Sequence, residues 1–294
     1  MYYGNMELYK VTNNLNSGPG SLREAIIKAI SASVFVTIEI VDSVVSPIIL
    51  LSELPSLTSN LSILGPTDHS ITIKSKNSMS LKNNLFSIFT VGDEHNKYTI
   101  TLSNLVISGG IYNMGQITII NSTIVDNSNI GNGGGIYNKN NAIITIGNSV
   151  VANNNAIHNK DVTGSFSSSG NNLIGHIGDA TGFNSTDLLN DKPDLLPLGN
   201  YGGPTQTCYP KNFSPLINNG SINAMINFEK NNKISINTDQ RGFPRTTNNK
   251  IDIGSVQTKN INCFFQSSLL IRSSFKELIS RHLFMSINII FGIN

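Results

Sequence analysis

Cleaving a polysaccharide requires acidic side chains set close together: two carboxylates flanking the scissile bond in a glycosidase, or acidic metal ligands beside a basic proton acceptor in a lyase. This chain does not offer that spacing. Its most regular stretch carries Asp126 alone, with Asp161 just beyond it, and no two Asp fall there at adjacent or repeat-equivalent positions. No catalytic residue is assigned. The most polar short motif is Thr238-Asp239-Gln240-Arg241-Gly242. Asp239 and Arg241 admit two readings. One is a partner-contact site. The other is a turn whose Asp caps backbone amides and whose Arg pairs with a carboxylate such as Asp252, which the surrounding Gly and Pro favour.

Gly133-Gly134-Gly135 lacks the Lys and Ser/Thr of a phosphate-binding loop and reads as a turn. His69, His95, His158, His176 and His282 show no metal-ligand spacing, and neither do Cys208 and Cys263. No metal or cofactor is expected. Two cysteines are too few for a disulfide framework, so two unpaired thiols are expected, with a single bridge between them as the alternative. Tyr112 and Tyr137 occupy equivalent points of a repeat. They either offer an aromatic platform to a sugar or protein, or stack on each other between repeats.

The elements that position these residues follow from composition. Of 294 residues, 39% are hydrophobic and only 13% charged, so the polar surface is built from Asn, Ser, Thr and Gly. These favour turns and side-chain hydrogen bonds over long helices. The 20 basic and 18 acidic residues are scattered and nearly balance at a net charge of +2. That leaves no electrostatic footprint for nucleic acid or anionic lipid.

A turn at Ser17-Gly18-Pro19-Gly20 leads into Ser21-Leu22-Arg23-Glu24, with Ser and Glu at capping-box spacing. Leu22, Ala25, Ile26, Ala29 and Ile30 then form one apolar stripe of helical period, with Arg23 and Lys28 away from it. This predicts a short amphipathic helix. Runs rich in β-branched residues follow at 34–45, 48–51, 61–64, 71–73 and 86–91.

Beyond them the chain repeats itself. Gly110-Ile111-Tyr112-Asn113 recurs 25 residues later as Gly135-Ile136-Tyr137-Asn138, and the run from Ile117 to Asn127 recurs 27 residues later from Ile144 to Asn154. A third copy, 100–108, precedes them without a full loop. Each unit holds two short β-branched runs broken by Asn or Gly. One such unit cannot bury its own apolar side, so neighbours must stack about 4.8 Å apart in parallel ladders around a shared core. The prediction is an all-β chain, a right-handed parallel β-helix, with the helix from Ser21 capping its N-terminal end. Asn104, Asn121 and Asn148, at equivalent turns, are expected to stack as an amide ladder.

Residues 1–160 are read as cap and coils, 161–257 as the last coils plus an irregular C-terminal region packed on them, and 258–294 as an unassigned tail. Within the tail, residues 264–284 have an amphipathic helical pattern. The apolar run 283–293 is broken by Ser286, Asn288 and Gly292, so no transmembrane helix is expected. The first residues lack the basic and apolar regions of an export signal.

Residues 11–26, with Gly20-Ser21-Leu22-Arg23-Glu24-Ala25, resemble the opening of bacterial surface β-helix proteins, in which Gly-Gly-Gly-Ile-Tyr-Asn, here 133–138, is frequent. The stretches 200–207, 214–220, 238–245 and 252–254 are similar to the choice-of-anchor Q domain, so the resemblance covers about residues 11–257. It departs at Cys208-Tyr209-Pro210, Asn218 and Val256-Gln257, and stops in the tail, which carries no sortase-type or other anchor motif. The resemblance implies a secreted or surface-displayed, non-enzymatic, adhesin-like scaffold for a host, matrix or glycan partner. Tyr112, Tyr137, Asp239 and Arg241 are its candidate contacts. The alternatives are a carbohydrate-active β-helix enzyme with residues from the loops between Asp161 and Asp252, and a truncated remnant without function.

Overall fold

The computed structural model describes residues 7–66, 71–76, 87–93, 96, 98–103, 105–128, 132–203, 206–232 and 235–258, the side chain of Asn232 excepted. The chain divides into two compact units, Met1–Thr258 and Lys259–Asn294, and the described residues all belong to the first. Asn104, His69, His95, His282, Cys263 and the amphipathic pattern of the tail lie outside the described residues.

The strands build three parallel sheets. The first stacks Glu7–Val11, Val36–Ile40, Leu61–Leu64, Thr99–Ser103, Gln116–Ile120, Ile143–Gly147 and Ser167–Gly170. The second stacks Ile48–Leu50, Ile71–Ser75, Leu105–Ser108, Thr123–Val125, Val150–Ala152, Leu173–Ile174 and Leu188–Leu189. The third holds Phe89–Val91, Ile111–Asn113, Ile136–Asn138 and Val162–Thr163. The chain visits the sheets in turn, so this is a parallel β-helix. The right-handed winding predicted from sequence is the sense that parallel crossovers take in about 98% of cases.

The repeat registers are those the sequence indicated. Ile111 pairs with Ile136, and Ile117 with Ile144. The copy without a full loop makes a shorter coil, Ile100 pairing directly with Ile117. Inward residues form continuous columns: Ile38, Ile63, Leu102, Ile119 and Ile146 are successive partners and are all fully buried. Burying each such side chain contributes about 1.5–3 kcal/mol before the chain's ordering entropy is counted.

Helix α1, Leu22–Ile30, closes the N-terminal end as predicted. Ser21 Oγ accepts from Glu24 N at 3.2 Å, and Glu24 Oε2 accepts from Gly20 N at 2.7 Å, one residue before the cap. Leu22, Ala25, Ile26 and Ala29 of its apolar stripe are buried in the core.

The amide ladder exists, but not where the sequence placed it. Asn121 and Asn148 share a left-handed backbone with φ of 47°, yet their side chains do not bond each other. Asn148 turns outward to Ser221, and the Asn121 amide is buried without a partner among the described residues. The amides that do stack are Asn113 on Asn138 and Asn127 on Asn154, both at 2.6 Å. Asn113 and Asn138 end strands of the third sheet and Asn127 and Asn154 lie two residues past strands of the second, all buried where an amide meets its copy from the next coil, whereas a corner amide such as that of Asn148 meets whatever covers the coil.

Helix α2, Ile222–Asn232, was not predicted. Ser221 Oγ accepts from Ala224 N at 3.1 Å, and Met225 and Phe228 pack with Ile120, Ile236 and Ile251. Its Asn-rich sequence hides the period; Ser221 ahead of Ile222, Met225 and Ile226 was the available signal.

Candidate functional site

The second sheet is apolar on both faces. Ile107, Ile124 and Val151 point inward, while Val106, Val125, Val150, Ala152 and Leu173 face outward or lie at its outer wall. Such a face cannot stay in water, and residues beyond Leu189 return across it. Leu195, Leu198, Cys208, Leu216 and Ile253 pack there. Gly254 N donates to Asn148 O at 2.8 Å, and Ser255 N to Thr123 Oγ1 at 3.0 Å, tying the end of the segment to the coils.

The Asp239 and Arg241 motif is the fastener of this segment. Asp239 is fully buried and Arg241 is 6% exposed. Asp239 Oδ1 accepts from the backbone N–H of Arg241 at 2.8 Å and Phe243 at 3.1 Å, and Oδ2 accepts from Gln257 N at 2.8 Å. The same Oδ2 takes Arg241 Nη2 at 2.8 Å and Nε at 3.1 Å. Arg241 also lies over the rings of Tyr209 and Phe243, at 4.8 and 4.7 Å from their centroids. This corrects the pairing considered with Asp252. That carboxylate instead accepts from Asn218 N at 2.7 Å and Thr258 N at 2.5 Å. Arg241 is nearer in sequence to its own turn's Asp, and the turn delivers the guanidinium there.

Arg245, which sequence reasoning missed, is buried behind the same network. Its Nη2 donates to Asp252 O at 3.0 Å and Gly254 O at 2.5 Å, while Nε and Nη1 have no partner among the described residues. Desolvation lowers its pKa to about 10, against the opposing charges of Asp239 and Asp252. Nothing in Phe243-Pro244-Arg245 sets this Arg apart from an exposed residue beside a turn.

Tyr112 and Tyr137 stack with ring centroids 5.2 Å apart and planes 25° apart, partly exposed on the outer side of the third sheet. Each ring covers one face of the other. Gly133, Gly134 and Gly135 form the turn expected: their N–H groups donate to the carbonyls of Asn159, Lys160 and Asp161 in the neighbouring coil. Asp161 is buried and accepts from Asn154 N and Nδ2, both at 2.8 Å. Desolvation raises its carboxyl above the usual range in spite of those bonds. Among the described residues, no group of three His, Cys, Asp or Glu could hold a metal ion.

A cavity of about 220 Å³ opens where the returning segment leaves the second sheet. Val106, Val125 and Leu198 give it an apolar wall, and Lys74, Ser108, Asp126 and Cys208 complete its lining. Cys208 is a free, buried thiol. Desolvation first, and then the charge of Asp126, push its pKa up to about 12, so it is an inert thiol at neutral pH. Asp126 is exposed by surface area, yet the adjoining wall desolvates it enough to raise its carboxyl.

Fold and site together define the class, a parallel β-helix whose second sheet is sheathed by its own C-terminal segment. No protein-family model, curated protein or solved structure matches the chain.

Proposed function

We propose that this protein is a non-enzymatic β-helix scaffold, secreted or displayed at a bacterial surface, that binds a host, matrix or glycan partner along its uncovered outer faces. The observation that carries this reading is where the polar chemistry goes. Asp161, Asp187, Asp239 and Asp252, four of the acids in the span an enzyme reading would draw on, each accept backbone or amide N–H groups that hold turns in place. What the first sheet turns outward is a register column of hydroxyls instead: Thr37, Ser62, Thr101, Thr118, Thr145 and Ser167, of which Ser62 and Thr101 are buried and Thr118, Thr145 and Ser167 form an open run of three. Along that run, one hydroxyl per ladder step of about 4.8 Å suits an extended, uncharged partner better than a small substrate. The motif resemblance to surface β-helix proteins supports the same reading.

The test uses the full chain against arrayed glycans and matrix proteins, in parallel with a polysaccharide panel assayed for reducing ends and unsaturated products. Binding that falls at least about tenfold in Thr118→Lys/Thr145→Lys, a loss of about 1.4 kcal/mol, supports the proposal. Turnover of any polysaccharide, or binding indifferent to that pair, overturns it.

A further inference from the structure

The cavity on the second sheet holds two charges that the fold does not use. Lys74 partners Ile49 on one side and Ser108 on the other, so neither neighbour in its column is charged. Asp126 has a left-handed φ of 58°, and Asn153, which follows the Ala152 partner of Val125, has the same φ. The turn therefore asks for Asn or Asp, and the negative charge at 126 is surplus to it. Both side chains line one cavity, yet neither is hydrogen-bonded or ion-paired among the described residues. Val125 continues the Lys74 and Ser108 column one residue past the Ile107 and Ile124 partners. The two charges thus start from anchor points roughly two ladder steps apart, about 10 Å.

We propose that the cavity binds a small apolar α-amino acid, its carboxylate on Lys74, its ammonium on Asp126 and its side chain against Val106, Val125 and Leu198. Opposite charges on either side of an apolar wall match a molecule carrying both charges and an apolar body. A simple carboxylate would leave Asp126 facing its own sign, and a simple amine would do so to Lys74. The volume of about 220 Å³ lies below the 300 Å³ or so at which drug-sized pockets begin, which sets the ligand's scale. The raised Asp126 carboxyl and Cys208 thiol mark the wall as poorly hydrated, where an ion pair is stronger than in water. This inference is independent of the partner surface proposed above.

The experiment titrates the full chain calorimetrically with leucine, phenylalanine, 4-methylpentanoate and isoamylamine, and follows alkylation of Cys208 by peptide mass mapping. At least one amino acid should bind, with the acid and the amine about tenfold weaker or more. It should also slow Cys208 alkylation at least about threefold, since it covers the thiol. Asp126→Asn keeps the left-handed turn, as Asn153 does, and should cut affinity about tenfold without shifting the melting curve. Lys74→Met should do the same. Absence of amino-acid binding at about 10 mM, a weaker limit than any Kd of use, overturns the proposal. So does binding unchanged in Asp126→Asn, or equal binding of the acid or amine alone.

Discussion

Asp239→Ala is predicted to unfasten the C-terminal segment while the coils stay folded. The carboxylate it removes accepts three backbone N–H groups, those of Arg241, Phe243 and Gln257, as well as Arg241 Nε and Nη2. Losing one member of a buried ion pair costs about 3–5 kcal/mol, because the other charge is left behind. Each orphaned amide adds about 1–3 kcal/mol if water cannot reach it. A loss of that size rivals the whole stability of an ordinary domain, about 5–15 kcal/mol, but it falls on one segment, so opening is local. Cys208 reports it. In the fold the thiol is buried with a pKa of about 12, so at pH near 8 about one molecule in 10⁴ is thiolate. Released to an ordinary value of about 8.5, roughly a quarter is. Alkylation of Cys208 in opened molecules should rise on the order of 10³-fold, and proteases should cut within 190–258 before they cut the coils. In a double-mutant cycle, Asp239→Ala/Arg241→Met should cost less than the sum of its single changes, because no lone charge remains. An Asp239→Ala protein whose Cys208 labels as slowly as wild type, with an unchanged urea midpoint, would refute the reasoning.

Three further outcomes are expected. Asn121→Gly and Asn148→Gly keep the same left-handed corner but should differ in sign. The first deletes a buried amide with no partner among the described residues and should be neutral or stabilising; the second deletes 2.8 and 2.7 Å bonds to Ser221 and should cost about 1–3 kcal/mol by urea unfolding. Asp161 has a raised carboxyl pKa in the fold, so the folded state holds its proton more tightly than the unfolded chain. Its contribution is present below the ordinary carboxylate value of about 3.9 and is lost as pH rises through the raised folded value. Asp161→Asn should remove that part of the fall in melting temperature with rising pH, and an identical slope in both proteins would count against it. Ile119→Ala, in a fully buried column, should cost about 2–5 kcal/mol, while Ile143→Ala, on a residue 39% exposed, should cost under about 0.5 kcal/mol.

The coils were legible because their physics is local and repeated. Ile117 and Ile119 alternate inward, the same residues return at Ile144 and Ile146, and stacking in register is the arrangement that buries both pairs. The capping helix was legible for the same reason, its Ser21 and Glu24 signal lying within one turn. The fastener was legible as a turn, since Asp239 does cap Arg241 and Phe243. Arg241's second acceptor, the Gln257 carbonyl, and the role of Arg245 were not, because both depend on Gln257, Asp252 and Gly254 arriving from farther along the chain. The cavity was illegible altogether: Lys74, Asp126 and Cys208 come from two coils and the returning segment, and no spacing links them.

The second sheet did carry a signal that periodicity alone passes over. A strand with one wet face alternates, as Gln116-Ile117-Thr118-Ile119 does, with partly exposed residues between buried ones. Thr123-Ile124-Val125 and Val150-Val151-Ala152 do not alternate, and every residue in them is buried. A run apolar on both faces requires a cover on each side, and the coil supplies only the inner one. The outer cover had to come from elsewhere in the chain, and the loosened stretch beyond Leu189, with Leu195, Leu198, Leu216 and Ile253, had the apolar residues to provide it. Two-sided strands within a one-sided solenoid therefore locate the seat of the C-terminal segment. They also locate its cavity, at Lys74 and Ser108, where the outer column turns polar.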